Sequence, residues 1–383
     1  MEKKAIKVIS VFGTRPEAIK MAPLVKELET RAEFDSRVCV TAQHREMLDS
    51  VLDCFSIVPD YDLDIMQSGQ TLPDITSRVL CGLDDVFHDA KPDIVLVHGD
   101  TTSAFSSALC AFYAKIPVGH VEAGLRTYDR HSPFPEEMNR CLIGRLAEYH
   151  FAPTHQNAQN LLKENVGGRI FVSGNTVIDA MKYTVGDGEF YTTDLKDIDF
   201  ENKRIITLTC HRRENYGEPI ENIFSAVRLI AQNHKDVEIV YPVHLSPYIR
   251  ETAIKFLSGI SNIKLIAPLD AVEMHRLMAN SYLVLTDSGG IQEEAPALAK
   301  PVIVLRRETE RPEAVEAGTV KLAGVDKDKI YELTEELLND EHAYERMSKA
   351  INPYGDGNAC KRIADALLYC FGRNNEPPEE FQL

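Results

Sequence analysis

The sequence of 383 residues lacks an apolar run that approaches the roughly 20 residues needed to cross a bilayer, which argues against a spanning helix. Its first apolar segment ends at Phe12 and continues into Gly-Thr-Arg-Pro without a small-residue cleavage site, which indicates a strand and not a signal peptide. It also lacks a CxxC pair. The eight cysteines are scattered and show no spacing typical of metal ligands, so we expect reduced, mostly buried thiols and no metal.

Positive charge is also scarce. Lysine and arginine number 42 against 59 aspartates and glutamates, which gives a formal net charge of -17. Binding to nucleic acid or to an anionic membrane depends on clustered cations, so neither is expected as a partner. An anionic substrate would need a local basic pocket.

Short β-branched runs alternate with helical patterns along most of the chain, and this alternation predicts parallel sheets with crossover helices. The alternation is interrupted by a polar, glycine-bearing stretch between about 179 and 204. We therefore predict an α/β protein with two Rossmann-like, doubly wound parallel-sheet domains, divided at about 178/179. The predicted strands are 7–12, 38–41, 93–97, 117–121 and 170–172, then 205–209, 237–241, 263–266, 282–286 and 301–305.

Ligands of such sheets bind beyond the carboxyl ends of the strands, so we expect the functional residues in the segments that follow each strand. After the first strand come Arg15 and, along the next helix, Lys20. They suit an anion at a helix start, although a pair of surface cations fits the pattern equally well. Asp100 follows another strand just ahead of a helix, where capping is the commoner use of an aspartate.

Two further acids of the first domain follow the next strand. Glu122 comes directly after it, and Glu136 lies in Ser-Pro-Phe-Pro-Glu-Glu-Met-Asn-Arg, which ends at Arg140. Carboxylates that face each other raise one another's pKa, which suits general acid and base catalysis at neutral pH. For Glu137 we expect an exposed charge.

The second domain offers polar clusters at its own strand ends. His211 and Arg212 directly follow its first strand and are suited to phosphate. His244 follows the next strand, where a single histidine is more often structural. A strand that runs into Ser288, Gly289 and Gly290 and then a helix predicts a pyrophosphate site.

Two charged side chains extend this expectation. Glu294, one helical turn beyond the glycines, is placed to accept hydrogen bonds from ribose hydroxyls. Arg311 is a further cation near another strand end.

Seven motifs in order together resemble the non-hydrolysing UDP-N-acetylglucosamine 2-epimerases, over roughly residues 6 to 318. They are Gly-Thr-Arg-Pro-Glu-Ala-Ile-Lys, Thr-Ala-Gln-His-Arg-Glu-Met-Leu, His-Gly-Asp-Thr-Thr-Ser, His-Val-Glu-Ala-Gly-Leu-Arg, Ser-Pro-Phe-Pro-Glu-Glu-Met-Asn-Arg, His-Arg-Arg-Glu-Asn and Asp-Ser-Gly-Gly-Ile-Gln-Glu-Glu. The resemblance implies a GT-B-like architecture with domains facing across a cleft, a C-terminal helix (356–383) that completes the first domain (1–178), and UDP bound by the second (179–355). It also implies a cytoplasmic homodimer without a cofactor.

The family's chemistry is reversible epimerisation at C2, by elimination of UDP to 2-acetamidoglucal and re-addition, which supplies N-acetylmannosamine units for cell-surface polysaccharide. The resemblance assigns the sugar side to Arg15, Lys20, Asp100, Glu122, Glu136 and Arg140, the phosphates to His211 and Arg311, and the nucleotide to Ser288, Gly289, Gly290 and Glu294. Two opposed acid/base groups are required. Asp100 and Glu122 are the candidates, Glu136 assists or binds, and which acid acts on which face of C2 stays open.

Some bacterial members bind a second UDP-N-acetylglucosamine as an activator. The chain retains Glu136, Arg212 and His244 at positions of that site but has Gln43, Glu46 and Gly69 where the family has Gln, Gln and Arg. A lost cation and a gained anion weaken the site for an anionic activator. Three other readings remain: a GT-B glycosyltransferase that uses a UDP-sugar donor, a hydrolysing epimerase, and a non-catalytic binding module.

Overall fold

The computed structural model describes residues 4–42, 45–67, 69–186, 190–309 and 311–382. The chain divides into two compact units. The first runs to Tyr183 and includes Tyr354–Gln382, and the second comprises Thr184–Pro353. The sequence-based division at 178/179 and 355/356 lies close to these bounds.

The first unit contains a seven-stranded parallel sheet with the order β3-β2-β1-β4-β5-β6-β7. Its strands are β1 (Ile6–Phe12), β2 (Phe34–Val40), β3 (Tyr61–Asp62), β4 (Ile94–His98), β5 (Val118–Val121), β6 (Tyr149–Ala152) and β7 (Arg169–Val172). Its helices up to the end of the first segment are α1 (Arg15–Glu29), α2 (Arg45–Cys54), α3 (Leu72–Ala90), α4 (Thr102–Tyr113), α5 (Glu136–Leu146), α6 (His155–Lys163) and α7 (Thr176–Thr184). The order of strands reverses between β1 and β4, which is where doubly wound sheets bind ligands.

The second unit contains a six-stranded parallel sheet with the order β10-β9-β8-β11-β12-β13. Its strands are β8 (Arg204–Thr209), β9 (Val237–Pro242), β10 (Ile263–Ile266), β11 (Leu283–Thr286), β12 (Val302–Val304) and β13 (Val320–Leu322). Its helices are α8 (Thr193–Lys196), α9 (Glu218–Asn233), α10 (Pro247–Leu257), α11 (Ala271–Ala279), α12 (Ile291–Ala297), α13 (Pro312–Glu316), α14 (Lys327–Asn339) and α15 (Glu341–Ser348), with a 3₁₀ turn at Arg213–Asn215. The prediction of two doubly wound parallel-sheet domains is confirmed.

The central strands are mostly apolar runs. Such runs suit a parallel sheet, because helices cover both of its faces and bury the side chains on each. All five residues of β4 are buried, as are all six of β9. Helices α3 and α9 place an apolar stripe on their sheets and leave charged side chains outside, as amphipathic crossover helices do. Each apolar run therefore forms a strand, and the polar residues that follow the run lie at the end of that strand.

The last helix, α16 (Ala359–Cys370), packs on the first unit. The Asp179 carboxylate accepts hydrogen bonds from Ala359 N at 3.1 Å and Cys360 N at 3.0 Å, at the positive end of the helix. Arg31 Nη1 lies 2.6 Å from Asp365 Oδ1. Periodicity alone left the position of this helix open. Within the described residues, no helix is both long and apolar enough to cross a membrane.

Candidate active site

Strands β1, β4 and β5 are neighbours in the first sheet, so the residues that follow them meet at one edge. The candidates of the first unit follow these strands or lie in helices that begin beside them. Lys20 pairs with Glu122, and Arg140 pairs with Asp100. Besides burial, the charges of Arg140, Glu122, Lys20 and Glu136 act on the pKa of Asp100. The structure therefore joins most of the predicted sugar-side residues in one cluster.

Helix α4 is capped by Thr101 and not by Asp100, so the capping interpretation of Asp100 is wrong. The Thr101 hydroxyl accepts a hydrogen bond from Ala104 N at 2.9 Å. Asp100 forms an ion pair with Arg140, and its backbone carbonyl accepts a hydrogen bond from Asn139 Nδ2 at 2.8 Å. The Asp100 carboxylate is therefore available for chemistry beside a guanidinium.

Glu122 lies in the turn after β5 with a φ of +62°, a conformation that strains a non-glycine residue and is common at functional sites. Its Oε1 pairs with Lys20 Nζ and lies 3.4 Å from Asn175 Nδ2. Its Oε2 lies 3.8 Å from His98 Nε2. A Cβ on Gly99 would lie 3.4 Å from the same oxygen, so the glycine leaves room for the carboxylate.

The two acids have pKa shifts of opposite sign. Burial raises the pKa of Asp100, and Arg140 only partly offsets this. Burial is the largest influence on the pKa of Glu122 and acts to raise it, but the neighbouring groups, with Lys20 the strongest, together outweigh burial and hold that pKa well below its ordinary range. Burial lowers the pKa of His98 to about 4, so its ring is neutral at neutral pH. A pair of carboxyls tuned apart in this way suits one acid and one base.

Glu137 is buried, so the expectation of an exposed charge is wrong. Its carboxylate accepts hydrogen bonds from Thr127 N and Tyr128 N, each at 3.0 Å, and lies 3.8 Å from Arg140 Nη1. Glu137 thereby holds the loop before α5. Glu136, the first residue of α5, is half-buried and close enough to Asp100 to raise its pKa.

Glu17 connects the turns that follow β1 and β4. Its buried carboxylate accepts hydrogen bonds from Gly13 N at 3.0 Å, Thr14 N at 2.8 Å and Thr101 Oγ1 at 2.6 Å. Burial raises the pKa of Glu17. Arg15, the first residue of α1, is half-buried, and its side chain makes no hydrogen bond or ion pair with another described residue.

In the second unit, Asp287 organises the segment that follows β8. Its Oδ2 accepts hydrogen bonds from His211 N at 2.8 Å, Arg212 N at 2.9 Å and Asn215 Nδ2 at 3.0 Å, and the carboxylate is fully buried. Since β8 and β11 are adjacent, this aspartate fixes the His211 segment beside the Ser-Gly-Gly turn.

Two guanidinium groups converge on Gly289. A Cβ on this glycine would lie 3.5 Å from Arg311 Cζ and 3.7 Å from Arg212 Nη2. Arg311 is oriented by Glu293, whose Oε1 accepts a hydrogen bond from its Nε at 2.7 Å. Two cations beside a bare stretch of backbone form the local basic pocket that an anionic ligand of this acidic protein requires.

His211 and His244 stack with ring centroids 5.5 Å apart and planes 16° apart. Burial lowers the pKa of His211, which Asp287 only partly offsets. The His244 ring is exposed, and its Nδ1 accepts a hydrogen bond from Ser246 N at 3.1 Å. His244 is therefore part of the polar edge formed after β8 and β9 and is not a buried structural histidine.

A cavity of about 390 Å³ lies at the ends of β9 and β10. Its walls include Val243 and Leu245, which flank His244, together with Leu265 and Pro268. Apolar residues make up the lining apart from Arg250, and the cavity lies on the far side of β8 from the glycine turn.

Glu294 lies in the first turn of α12, over the glycine turn. A Cβ on Gly290 would lie 3.2 Å from its Oε1. Its Oε2 lies 3.4 Å from His275 Nε2. The carboxylate is mostly shielded from solvent, with 17% of the side chain exposed.

Comparison with known proteins decides the family. A family model described as UDP-N-acetylglucosamine 2-epimerase matches residues 26–368. The UDP-N-acetylglucosamine 2-epimerase of Bacillus subtilis is 57% identical over 379 residues, which cover 99% of this chain and 99% of that protein. The chain belongs to the UDP-N-acetylglucosamine 2-epimerase family. The resemblance inferred from the motifs is confirmed, and with it the assignment as an isomerase.

Solved epimerases have the same fold. The chain is similar to the Neisseria meningitidis UDP-GlcNAc 2-epimerase bound to UDP-GlcNAc, with 49% identity, a TM-score of 0.83 and coverage of 95% and 100% of the two chains. The Methanocaldococcus jannaschii enzyme in complex with UDP-GlcNAc and UDP is 35% identical, with a TM-score of 0.75 and the same coverage. The glycotransferase of kitacinnamycin, 12% identical with a TM-score of 0.62, shares the fold alone.

The residues that depart from the epimerase activator pattern are only partly described. Gln43 and the Glu46 side chain lie outside the described residues. Gly69 is exposed, with a φ of +73° and open space where a side chain would lie. Among the residues that the structure describes, no group of three or more His, Cys, Asp or Glu is arranged to hold a metal ion.

Several residues that orient the site were not identified from the sequence. They are Glu17, His98, Asn139, Asn175, His275 and Asp287. His98 and Asp287 stand at strand ends inside motifs, so their position was a usable signal. His275 gave none, because it lies within a helix far along the chain from its partners.

Proposed function

We propose that the chain epimerises UDP-N-acetylglucosamine to UDP-N-acetylmannosamine, without hydrolysis, by elimination of UDP and its re-addition to enzyme-held 2-acetamidoglucal. In the forward direction a base removes the C2 proton while the bond from C1 to the UDP oxygen breaks. In re-addition a proton reaches the opposite face of C2 as UDP attacks C1. The opposite pKa shifts of Asp100 and Glu122 in one cluster carry this proposal.

Glu122 is assigned as the ionised base in the forward direction. Lys20 favours its charged form although it is buried, Asn175 Nδ2 donates a hydrogen bond to its Oε1, and Gly99 leaves room for its Oε2. Asp100, whose pKa is raised, holds a proton more readily and is assigned as the acid. In the reverse direction the two roles exchange. Glu136 adds negative charge beside Asp100 and Arg140 compensates it.

The second unit binds UDP in this proposal. The pyrophosphate lies against Gly289, where Arg212 and Arg311 converge, and His211 adds a donor from its fixed loop. Charge that builds on the departing oxygen is stabilised by these preorganised groups, which is usually the largest contribution to such catalysis. Ser288 and Gly290 border the phosphates, and Glu294 accepts hydrogen bonds from the ribose hydroxyls.

The uracil base is assigned to the cavity at the ends of β9 and β10. Its apolar walls suit a flat ring, and His244 lies at its border, between the two lining residues Val243 and Leu245. The two relatives described with UDP-GlcNAc or UDP support a ligand of this class.

An assay without any acceptor tests the reaction type. Incubation with UDP-N-acetylglucosamine alone should yield UDP-N-acetylmannosamine, observed by proton NMR, with no free UDP accumulating in step with turnover. A hydrolysing enzyme would release UDP and free N-acetylmannosamine, and a glycosyltransferase would leave the substrate unchanged. Either outcome would refute the proposal.

The wider role is part of the same proposal. A cytoplasmic homodimer that supplies N-acetylmannosamine units for cell-surface polysaccharide stays a prediction from the family resemblance. Sedimentation at assay concentration should give twice the mass of the 383-residue chain. A monomer that retains full activity would contradict it.

A further inference from the structure

His275 is buried in α11, and each of its ring nitrogens faces a polar side chain. Nδ1 lies 2.8 Å from the hydroxyl oxygen of Thr184. Nε2 lies 3.4 Å from Glu294 Oε2. His275 is 3% exposed and Thr184 is fully buried, so little water competes for these contacts.

The partners decide where the ring proton lies. Nε2 lies at ion-pair distance from Glu294, and because a carboxylate accepts hydrogen bonds and donates none, a proton on Nε2 is the arrangement that makes this contact attractive. In a neutral ring Nδ1 then accepts the hydrogen bond from the Thr184 hydroxyl. The hydrogen bond made by one ring nitrogen determines which tautomer the other presents. The Thr184 hydroxyl, which can donate as well as accept, therefore satisfies Nδ1 of the ring that donates toward Glu294.

The residues on either side of His275 tie α11 to the segment before it. Arg276 Nε donates a hydrogen bond to Thr184 O at 3.2 Å. The Glu273 carboxylate accepts one from Tyr191 N, also at 3.2 Å. Thr184 opens the second unit, so the helix is tied to the segment by which the chain enters that unit. These contacts hold the part of α11 that carries His275.

We propose that His275 is a positioning residue that makes the nucleotide site selective for ribose. It orients the Glu294 carboxylate, through Nε2–H, so that both oxygens are set before a nucleotide arrives. A carboxylate that is already ordered loses less entropy when it accepts hydrogen bonds from sugar hydroxyls. This inference rests on the proposed role of Glu294 at the ribose and adds the group that makes that role selective.

Binding of UDP and of 2′,3′-dideoxy-UDP, measured by calorimetry, tests the proposal, because only UDP offers hydroxyls to Glu294. In His275→Phe the ring volume is kept and both nitrogens are lost. The preference for ribose is the Kd of 2′,3′-dideoxy-UDP divided by the Kd of UDP. We expect this ratio to fall about tenfold, which is the size of one hydrogen bond to a charged group. The affinity for the dideoxy compound should change by less than about twofold, since it makes no use of the carboxylate.

Two variants provide a rescue and an independent check. His275→Gln carries an amide that can donate to Glu294 and should recover most of the ratio. Thr184→Val removes the hydroxyl that satisfies Nδ1 of the ring and should lower the ratio in the same direction as His275→Phe. These two variants decide the matter where His275→Phe does not fold.

Glu294→Gln separates this inference from the proposed function. If Glu294→Gln lowers the ratio and His275→Phe does not, the positioning role is overturned and the ribose assignment stands. Equal weakening of both nucleotides in His275→Phe also overturns it, because a general loss of structure acts on both. If Glu294→Gln leaves the ratio unchanged, the assignment of Glu294 to ribose fails, and the inference fails with it.

Discussion

Asp100 and Glu122 follow adjacent strands of one sheet and are shifted in opposite directions, the pKa of Asp100 upward and that of Glu122 downward. Burial acts to raise the pKa of both acids, and their neighbours differ. The groups around Glu122, with Lys20 the strongest, together outweigh its burial, whereas Arg140 does not outweigh the burial of Asp100. Two similar acids in one cluster thereby differ in proton affinity.

Asp100→Asn should reduce turnover about 100-fold or more while the fold is preserved, because the amide keeps an acceptor for Arg140 but cannot exchange a proton. Thr101→Ala is the matched control. Since Thr101 is the cap of α4, that variant should lower stability by about 0.5–2 kcal/mol. Steady-state rates and thermal melting measure both. Near wild-type turnover in Asp100→Asn would exclude it as the acid and leave Glu122 and Glu136 as the pair.

Lys20→Met should add an acidic limb to the pH profile of kcat/KM. In the native chain the pKa of Glu122 is held low, so the base stays ionised as the pH falls. Without the Lys20 ammonium, burial raises that pKa, and the base is protonated at a higher pH. Lys26→Met, on the same helix but paired with Glu29, should leave the profile unchanged. If the two variants show the same profile, Lys20 does not tune the base.

Gly289→Ala should abolish most UDP binding without unfolding the protein. The added methyl would meet its nearest atoms, in Arg311 and Arg212, at 3.5 Å or more, which is ordinary contact, but it would occupy the space assigned to phosphate. Calorimetry with UDP should show a loss of about tenfold or more, by analogy with a lost charge-assisted contact. Unchanged UDP affinity in a folded variant would move the phosphates away from this turn.

The sequence predicted the fold where side-chain burial leaves a local trace. Strands such as β8 and β9 are runs of β-branched residues, and their predicted bounds differ from the observed ones by one residue at most. The strands that were not predicted lack that trace. β3 has two residues, β6 reads Tyr-His-Phe-Ala, and β13 is a three-residue strand at a sheet edge. These three strands are defined by their pairing with a neighbouring strand. The hydrophobic periodicity of the sequence does not show such pairing.

The site residues also fall into those that chain order predicts and those that only tertiary contacts define. Asp100 and Glu122 were found because they stand at strand ends, which chain order reveals. The expectation of an exposed Glu137 was wrong because its burial depends on two backbone donors, Thr127 N and Tyr128 N. These donors approach the carboxylate only when the loop before α5 folds. Contacts between residues distant in the chain, such as that of His275 with Thr184, require the three-dimensional structure.

Transfer of solvent hydrogen to C2 tests the central claim most directly. The proposed mechanism removes the C2 proton to an enzyme carboxylate and returns a different one to the opposite face. Reaction of UDP-N-acetylglucosamine in heavy water should therefore place deuterium at C2 of the UDP-N-acetylmannosamine formed, as the loss of the C2 proton signal shows. Product that retains the original hydrogen at C2 would contradict elimination and re-addition.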